Sequence, residues 1–201
     1  ARVKIGYQTA LKLLRAGAQV VATTRFPHDA ARRYASEPDY ASWRERLSVH
    51  GLDLRHSPSV EIFCRYLRQR LGRLDLLINN AGITHRSPTT QTAIAVFRQV
   101  MAVDYHAPLE LTRAAPPLLR ESRGQIAAIG SMAGWMPVLG RAGYCAAKSA
   151  LHQFFETFRA EVKDRGVSVL MVYPSFLDTP IDRNALGGDG RPAGHARSTS
   201  G

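Results

Sequence analysis

The chain has 201 residues, 45% of them hydrophobic, and a formal net charge of +11. That length supports one domain with its own core, and no apolar run approaches the ~18 residues a membrane span needs. The charge invites a nucleic-acid reading, but Arg32-Arg33, Arg44/Arg46 and Arg65/Arg68/Arg70/Arg73 are scattered over separate expected helices without interleaved aromatics. Solvated helix faces are therefore expected, with no nucleic-acid or membrane partner; salt-steep nucleic-acid binding is the competing reading. Cys64 and Cys145 have no metal or redox spacing, and the seven histidines form no metal-binding motif. A reduced, cytoplasmic chain without a metal is expected.

In chain order, residues 7–16 read as a helix with Leu11 and Leu14 on one face, stopped by Gly17. Residues 19–24 read as a buried strand. Phe26 to Asp29 reads as a turn, with Asp29 as N-cap of a helix over 30–36. A short helical piece over 40–46 leads into a strand over 47–54 that carries Asp53. Ser57-Pro58 opens a helix over 59–71, with Ser57 as N-cap and Glu61 near the positive end of the dipole.

Residues 74–78 are a short apolar run typical of a doubly buried strand, ending in Asn79-Asn80-Ala81-Gly82. After an irregular polar stretch, a long helix over 92–119 is expected, kinked at Pro108 and broken at Pro116-Pro117. Residues 125–129 form a strand ending at Gly130-Ser131. A helix through Tyr144 runs to about 165, where Gly166 ends it, and a strand over 167–172 ends at Tyr173-Pro174-Ser175. Residues 186–201, rich in Gly, Ser and Pro, read as a disordered tail.

Strands alternating with helices predict an α/β fold with a doubly wound parallel sheet, Rossmann-like and three-layered. Ligands bind such sheets beyond the carboxyl ends of the strands. Thr24-Arg25, Asp53, Asn79 to Gly82, Gly130-Ser131 and Pro174-Ser175 all fall at that edge. Ser131, Tyr144 and Lys148 form a candidate chemical set. Tyr144 and Lys148, four apart on an expected helix, share a face. An ammonium near a phenol stabilises the phenolate, and such a tyrosine can exchange a proton with an alcohol or ketone. Taken alone, the same spacing also fits a surface lysine beside a half-buried tyrosine.

Over residues 1–180 the pattern resembles the classical short-chain dehydrogenases/reductases. Asn79-Asn80-Ala81-Gly82 matches that family's Asn-Asn-Ala-Gly, Ser131 its catalytic serine, and Tyr144 to Lys148 its Tyr-x-x-x-Lys, thirteen residues after the serine. Pro174-Ser175, followed by Thr179-Pro180, matches its Pro-Gly element. Lys4-Ile5-Gly6 matches the end of its Thr-Gly-x-x-x-Gly-Ile-Gly turn, with Arg2 in the variable part. The resemblance implies that the family's first strand is missing, that its last is missing too, and that the domain of residues 1–180 is a fragment.

The resemblance implies hydride transfer between a nicotinamide cofactor and a small-molecule carbonyl/alcohol pair. Tyr144 would be the acid/base, Lys148 would lower its pKa and hold the nicotinamide ribose, and Ser131 would orient the substrate oxygen. Asn80, Ala81 and Gly82 would floor the cofactor site, and Asp53 would contact the adenine. Arg2, Lys4, Ile5, Gly6, Pro174 and Thr179 match the family's remaining cofactor positions. Thr24-Arg25 stands where an acidic residue would select NAD(H), so NADP(H) is favoured. Three departures stand out: Lys4 for a glycine, Ser175 for a glycine, and Asp104 for the family's catalytic asparagine. A cofactor-binding protein that has lost turnover is the alternative reading they motivate. The stripe Leu151, Phe155, Phe158, Val162 predicts core packing, with a homodimer or tetramer interface as the second reading.

Overall fold

The computed structural model describes residues 4–120, 122–174, 181 and 184–194. Arg2, Ser175, Thr179 and Pro180 lie outside these residues, as does the tail from 195 onward. The chain divides into two compact units, residues 1–53 and 54–201.

The first unit contains helix α1 (Lys4–Arg15), strand β1 (Val20–Thr24), helix α2 (Pro27–Ala35) and strand β2 (Leu47–Gly51). Helix α1 begins three residues before the expected start, so Lys4, Ile5 and Gly6 form its first turn. Gly17 ends it at φ +92°, a conformation glycine adopts without a Cβ penalty. Asp29 is not an N-cap. Pro27 opens α2 one turn earlier, because its fixed φ suits the first turn, and Asp29 pairs with Arg32 at 2.7 Å. Residues 40–46 form two short 3₁₀ turns. The unit's core joins Tyr7, Leu11 and Leu14 of α1 to Tyr34 and Trp43.

The second unit runs through helix α3 (Ser57–Arg70), strand β3 (Leu76–Asn79), helix α4 (Ile94–Met101), a π-helical turn (Ala102–His106), helix α5 (Ala107–Ala114), helix α6 (Pro116–Arg120), strand β4 (Gln125–Ile129), helix α7 (Ala142–Val162) and strand β5 (Ser168–Val172). Ser57 lies inside α3 and does not cap it. Its hydroxyl donates instead to the Glu110 carboxylate at 3.0 Å. The expected long helix is three helices with a π-turn between the first two. Pro108 has no N–H for the carbonyl of residue 104, and the chain answers with a wider turn, in which the Ala107 N–H reaches the Ala102 carbonyl.

All strand pairs are parallel. They form two sheets, β1–β2 and β3–β4–β5. Within β3–β4–β5, Asn79 pairs with Ala128 and Ile129 with Val172, so the three strands end together. Leu151, Phe155 and Val162 of α7 pack on Ile126, Ala128, Val169 and Met171, each large side chain adding roughly 1.5–3 kcal/mol by its burial. The core reading of that stripe therefore holds.

The disordered-tail expectation fails for residues 186–194. Leu186 N–H donates to Thr84 O at 2.9 Å, Arg86 N–H to Leu186 O at 2.7 Å, and Ala93 N–H to Gly188 O at 2.8 Å. Backbone hydrogen bonds, which a composition argument does not see, hold this glycine-rich strap to the loop after β3.

Candidate active site

The second unit brings four of the predicted residues together. Lys148 is one turn beyond Tyr144 on α7, and both side chains are buried, 4% and 9% exposed. The ammonium lies 5.7 Å from the Tyr144 ring centroid. Its Nζ donates to Ile129 O at 3.0 Å, two residues before Ser131. Ser131 stands at the end of β4, where its Oγ accepts the Ala133 N–H at 3.2 Å and starts a 3₁₀ turn (Met132–Gly134). That turn is fixed to α7 because the Ser149 hydroxyl donates to Gly134 O and Ala133 packs with Tyr144 and Ala147.

Asp104 is the fourth member and is fully buried in the π-turn. Its Oδ1 accepts the Ile83 N–H at 2.8 Å, and its Oδ2 lies 3.3 Å from Lys148 Nζ. Oδ2 makes this ion pair but has no hydrogen bond. Burial pushes the carboxyl above the ordinary carboxylate range, while the Lys148 charge and the Ile83 N–H pull it back. Gly82 completes the contact, since a Cβ there would sit 3.1 Å from Asp104 Oδ2 and 3.5 Å from Lys148 Nζ. A side chain at residue 82 would crowd this pair.

Around this centre, Asn79 donates through Nδ2 to Thr112 Oγ1 at 3.3 Å, which ties β3 to α5. Asn80 is half-buried and Ala81 exposed just past the strand end. Pro174 follows β5 and is half-buried. The remaining predicted positions lie in the first unit. Gly6 is buried and Ile5 half-buried in the first turn of α1. Thr24 ends β1 and accepts the Phe26 N–H at 3.1 Å. Arg25 is exposed, with its guanidinium 5.3 Å from the Phe26 ring centroid. Asp53 is half-buried, two residues beyond the end of β2 at Gly51 and not within the strand as expected.

Two contributors to the site were not foreseen. His85 is fully buried and bonds to the backbone of Gly143, 58 residues away. The strap at 184–194 bonds to the same loop. Neither carries a spacing signal, since both are long-range contacts to backbone groups. Among the described residues no group of three or more His, Cys, Asp or Glu side chains could hold a metal ion. No helix among them is long and apolar enough to cross a membrane.

Parallel strands ending together, with a serine, a tyrosine, a lysine and a buried carboxyl gathered near their carboxyl ends, define a Rossmann-like α/β protein. The chain belongs to the short-chain dehydrogenase family, whose model matches residues 2–188. It is 31% identical over 188 residues to dehydrogenase/reductase SDR family member 7B of Rattus norvegicus, covering 93% of this chain and 57% of that protein. It is 30% identical over 188 residues to dehydrogenase/reductase SDR family member 7 of Homo sapiens, covering 92% of this chain and 56% of that one. The chain thus spans little more than half the length of these curated relatives. A metagenomic short-chain oxidoreductase in complex with NADP superposes with a TM-score of 0.80 at 30% identity, covering 90% of this chain and 83% of that one. Acetoin dehydrogenase YohF from Salmonella typhimurium superposes with a TM-score of 0.76 at 26% identity, covering 86% and 68%.

Proposed function

We propose that the chain is an oxidoreductase transferring a hydride between NADP(H) and a carbonyl/alcohol substrate, with Tyr144 as the acid/base. The observation that carries this reading is the placement of Tyr144 and Lys148 on successive turns of α7, buried beside the end of β4 and Ser131. The Ser131 hydroxyl would hold the substrate oxygen. Tyr144 would give that oxygen a proton in reduction and take one in oxidation. The ammonium of Lys148, one turn further along α7, would hold the nicotinamide ribose hydroxyls.

The donors present fit a phosphate-bearing dinucleotide. Strand β1 ends on exposed Arg25, with no acidic residue between Thr24 and His28, and a guanidinium matches a phosphate dianion while a carboxylate would repel it. Asn80, Ala81, Gly82 and Pro174 would line the nicotinamide end, and Asp53 the adenine end. Lys4, Ile5 and Gly6, with Arg2 and Thr179, would serve the phosphates and the remaining contacts. The nicotinamide, when bound, supplies the hydride. The NADP complex of a similar oxidoreductase supports the same choice.

Replacing Tyr144 with Phe should abolish NADPH oxidation with a panel of ketones and quinones while NADPH fluorescence still reports binding. Retained turnover would remove Tyr144 from the role. Replacing Arg25 with Ala should bring the Kd for NADPH within a few-fold of that for NADH. An unchanged preference would refute the cofactor assignment.

A further inference from the structure

We propose that His85 is a positioning residue that fixes the first turn of α7 and through it Tyr144. This rests on the reading of Tyr144 as the acid/base. Helix α7 has no side-chain N-cap of its own; Arg141 holds that position without a capping bond. The first N–H groups of a helix have no partners within it, and here one of them is met from another part of the chain. His85 Nε2 accepts the N–H of Gly143, the residue just before Tyr144, at 2.9 Å. A histidine in the loop after β3 thus does what a serine or aspartate usually does at the cap.

The imidazole is held on several sides. It is fully buried and meets the Phe97 ring edge-on, with centroids 5.4 Å apart. Its backbone bridges to Leu186 of the strap. Gly143 is a glycine for the same reason, because a Cβ there would lie 3.1 Å from His85 Nε2 and 2.7 Å from Phe97 Cδ1. Accepting through Nε2 requires the tautomer with hydrogen on Nδ1, and Nδ1 has no partner among the described residues. Burial, reinforced by the charge of Arg141, holds the imidazole below its ordinary pKa and so in this neutral form. With the bond lost, the Gly143 N–H would be buried and unpaired, and the turn carrying Tyr144 would shift. A displacement near 1 Å can reduce turnover about a hundredfold.

The test uses the full chain with two variants, H85L and H85Q. Glutamine can offer an oxygen near the Nε2 position, whereas leucine offers none. Amide hydrogen exchange across residues 142–146 should rise about tenfold in H85L and stay within about twofold in H85Q. In parallel, kcat should fall at least about tenfold in H85L, with KM for the cofactor little changed, and recover in H85Q. Unchanged exchange and kcat in H85L, or equal losses in both variants, would overturn the proposal. Should H85L not fold, the tautomer in the unmodified chain decides, since nitrogen NMR showing hydrogen on Nε2 contradicts the proposal and hydrogen on Nδ1 supports it. If no form turns over any substrate, the exchange result still tests His85, and only the catalytic reading fails.

Discussion

Asp104 and Lys148 meet in a space closed to solvent, and their pairing sets the character of the site. A carboxylate 3.3 Å from the ammonium offsets the positive field that Lys148 would otherwise direct at Tyr144. Asp104→Asn keeps an oxygen for the Ile83 N–H but removes the competing charge. The expected result is a rise in kcat of about tenfold at pH values where Asp104 is ionised, roughly 1.4 kcal/mol off the barrier. A fall would show that the carboxylate is required. The same substitution has a stability signature. Burial raises the Asp104 pKa, so in the window between about 3.9 and that raised value the folded chain binds a proton the unfolded chain has released. Stability therefore falls as pH rises through this window. Urea midpoints measured against pH should lose that slope in Asp104→Asn. The identities of Ser131, Tyr144, Lys148 and Asp104 were all legible in the sequence, because their intervals are short or match a known pattern. The direct Asp104–Lys148 contact was not legible, since it depends on how two helices and a glycine approach one another.

At the scale of elements, α7 is both the support of the site and a wall of the core. Phe155 is fully buried, two turns beyond Lys148, on the face that meets β4 and β5. Phe155→Ala should destabilise the second unit by about 3–5 kcal/mol, measured as a lowered denaturation midpoint by circular dichroism. A loss below about 1 kcal/mol would contradict the core assignment. The strands and their carboxyl ends followed closely from apolar runs and turn residues, β4 at its full predicted extent. Helix starts were less legible. Asp29 and Ser57 have the chemistry of caps, yet in each case a proline at or next to the first helical position moved the start upstream. Pro108 rightly marked an irregularity, but the π-turn it accompanies lies before it and carries Asp104.

At the scale of the whole molecule, each unit has its own core, one built on Tyr34 and Trp43 and the other on Ile126, Leu151 and Phe155. Alternating strands and helices were enough to predict the α/β class. The ordered strap was not legible at all, because its partners are backbone groups in a loop a hundred residues earlier. The proposed hydride transfer, with Tyr144 as the acid/base, would join these observations into one function. The most direct measurement supplies NADPH deuterated at the transferable position, together with the ketone and quinone panel, and examines the products by mass spectrometry. An alcohol product carrying one deuterium with the wild-type chain, and none with Tyr144→Phe, is the predicted result. Bound NADPH with no labelled product from any substrate would contradict it.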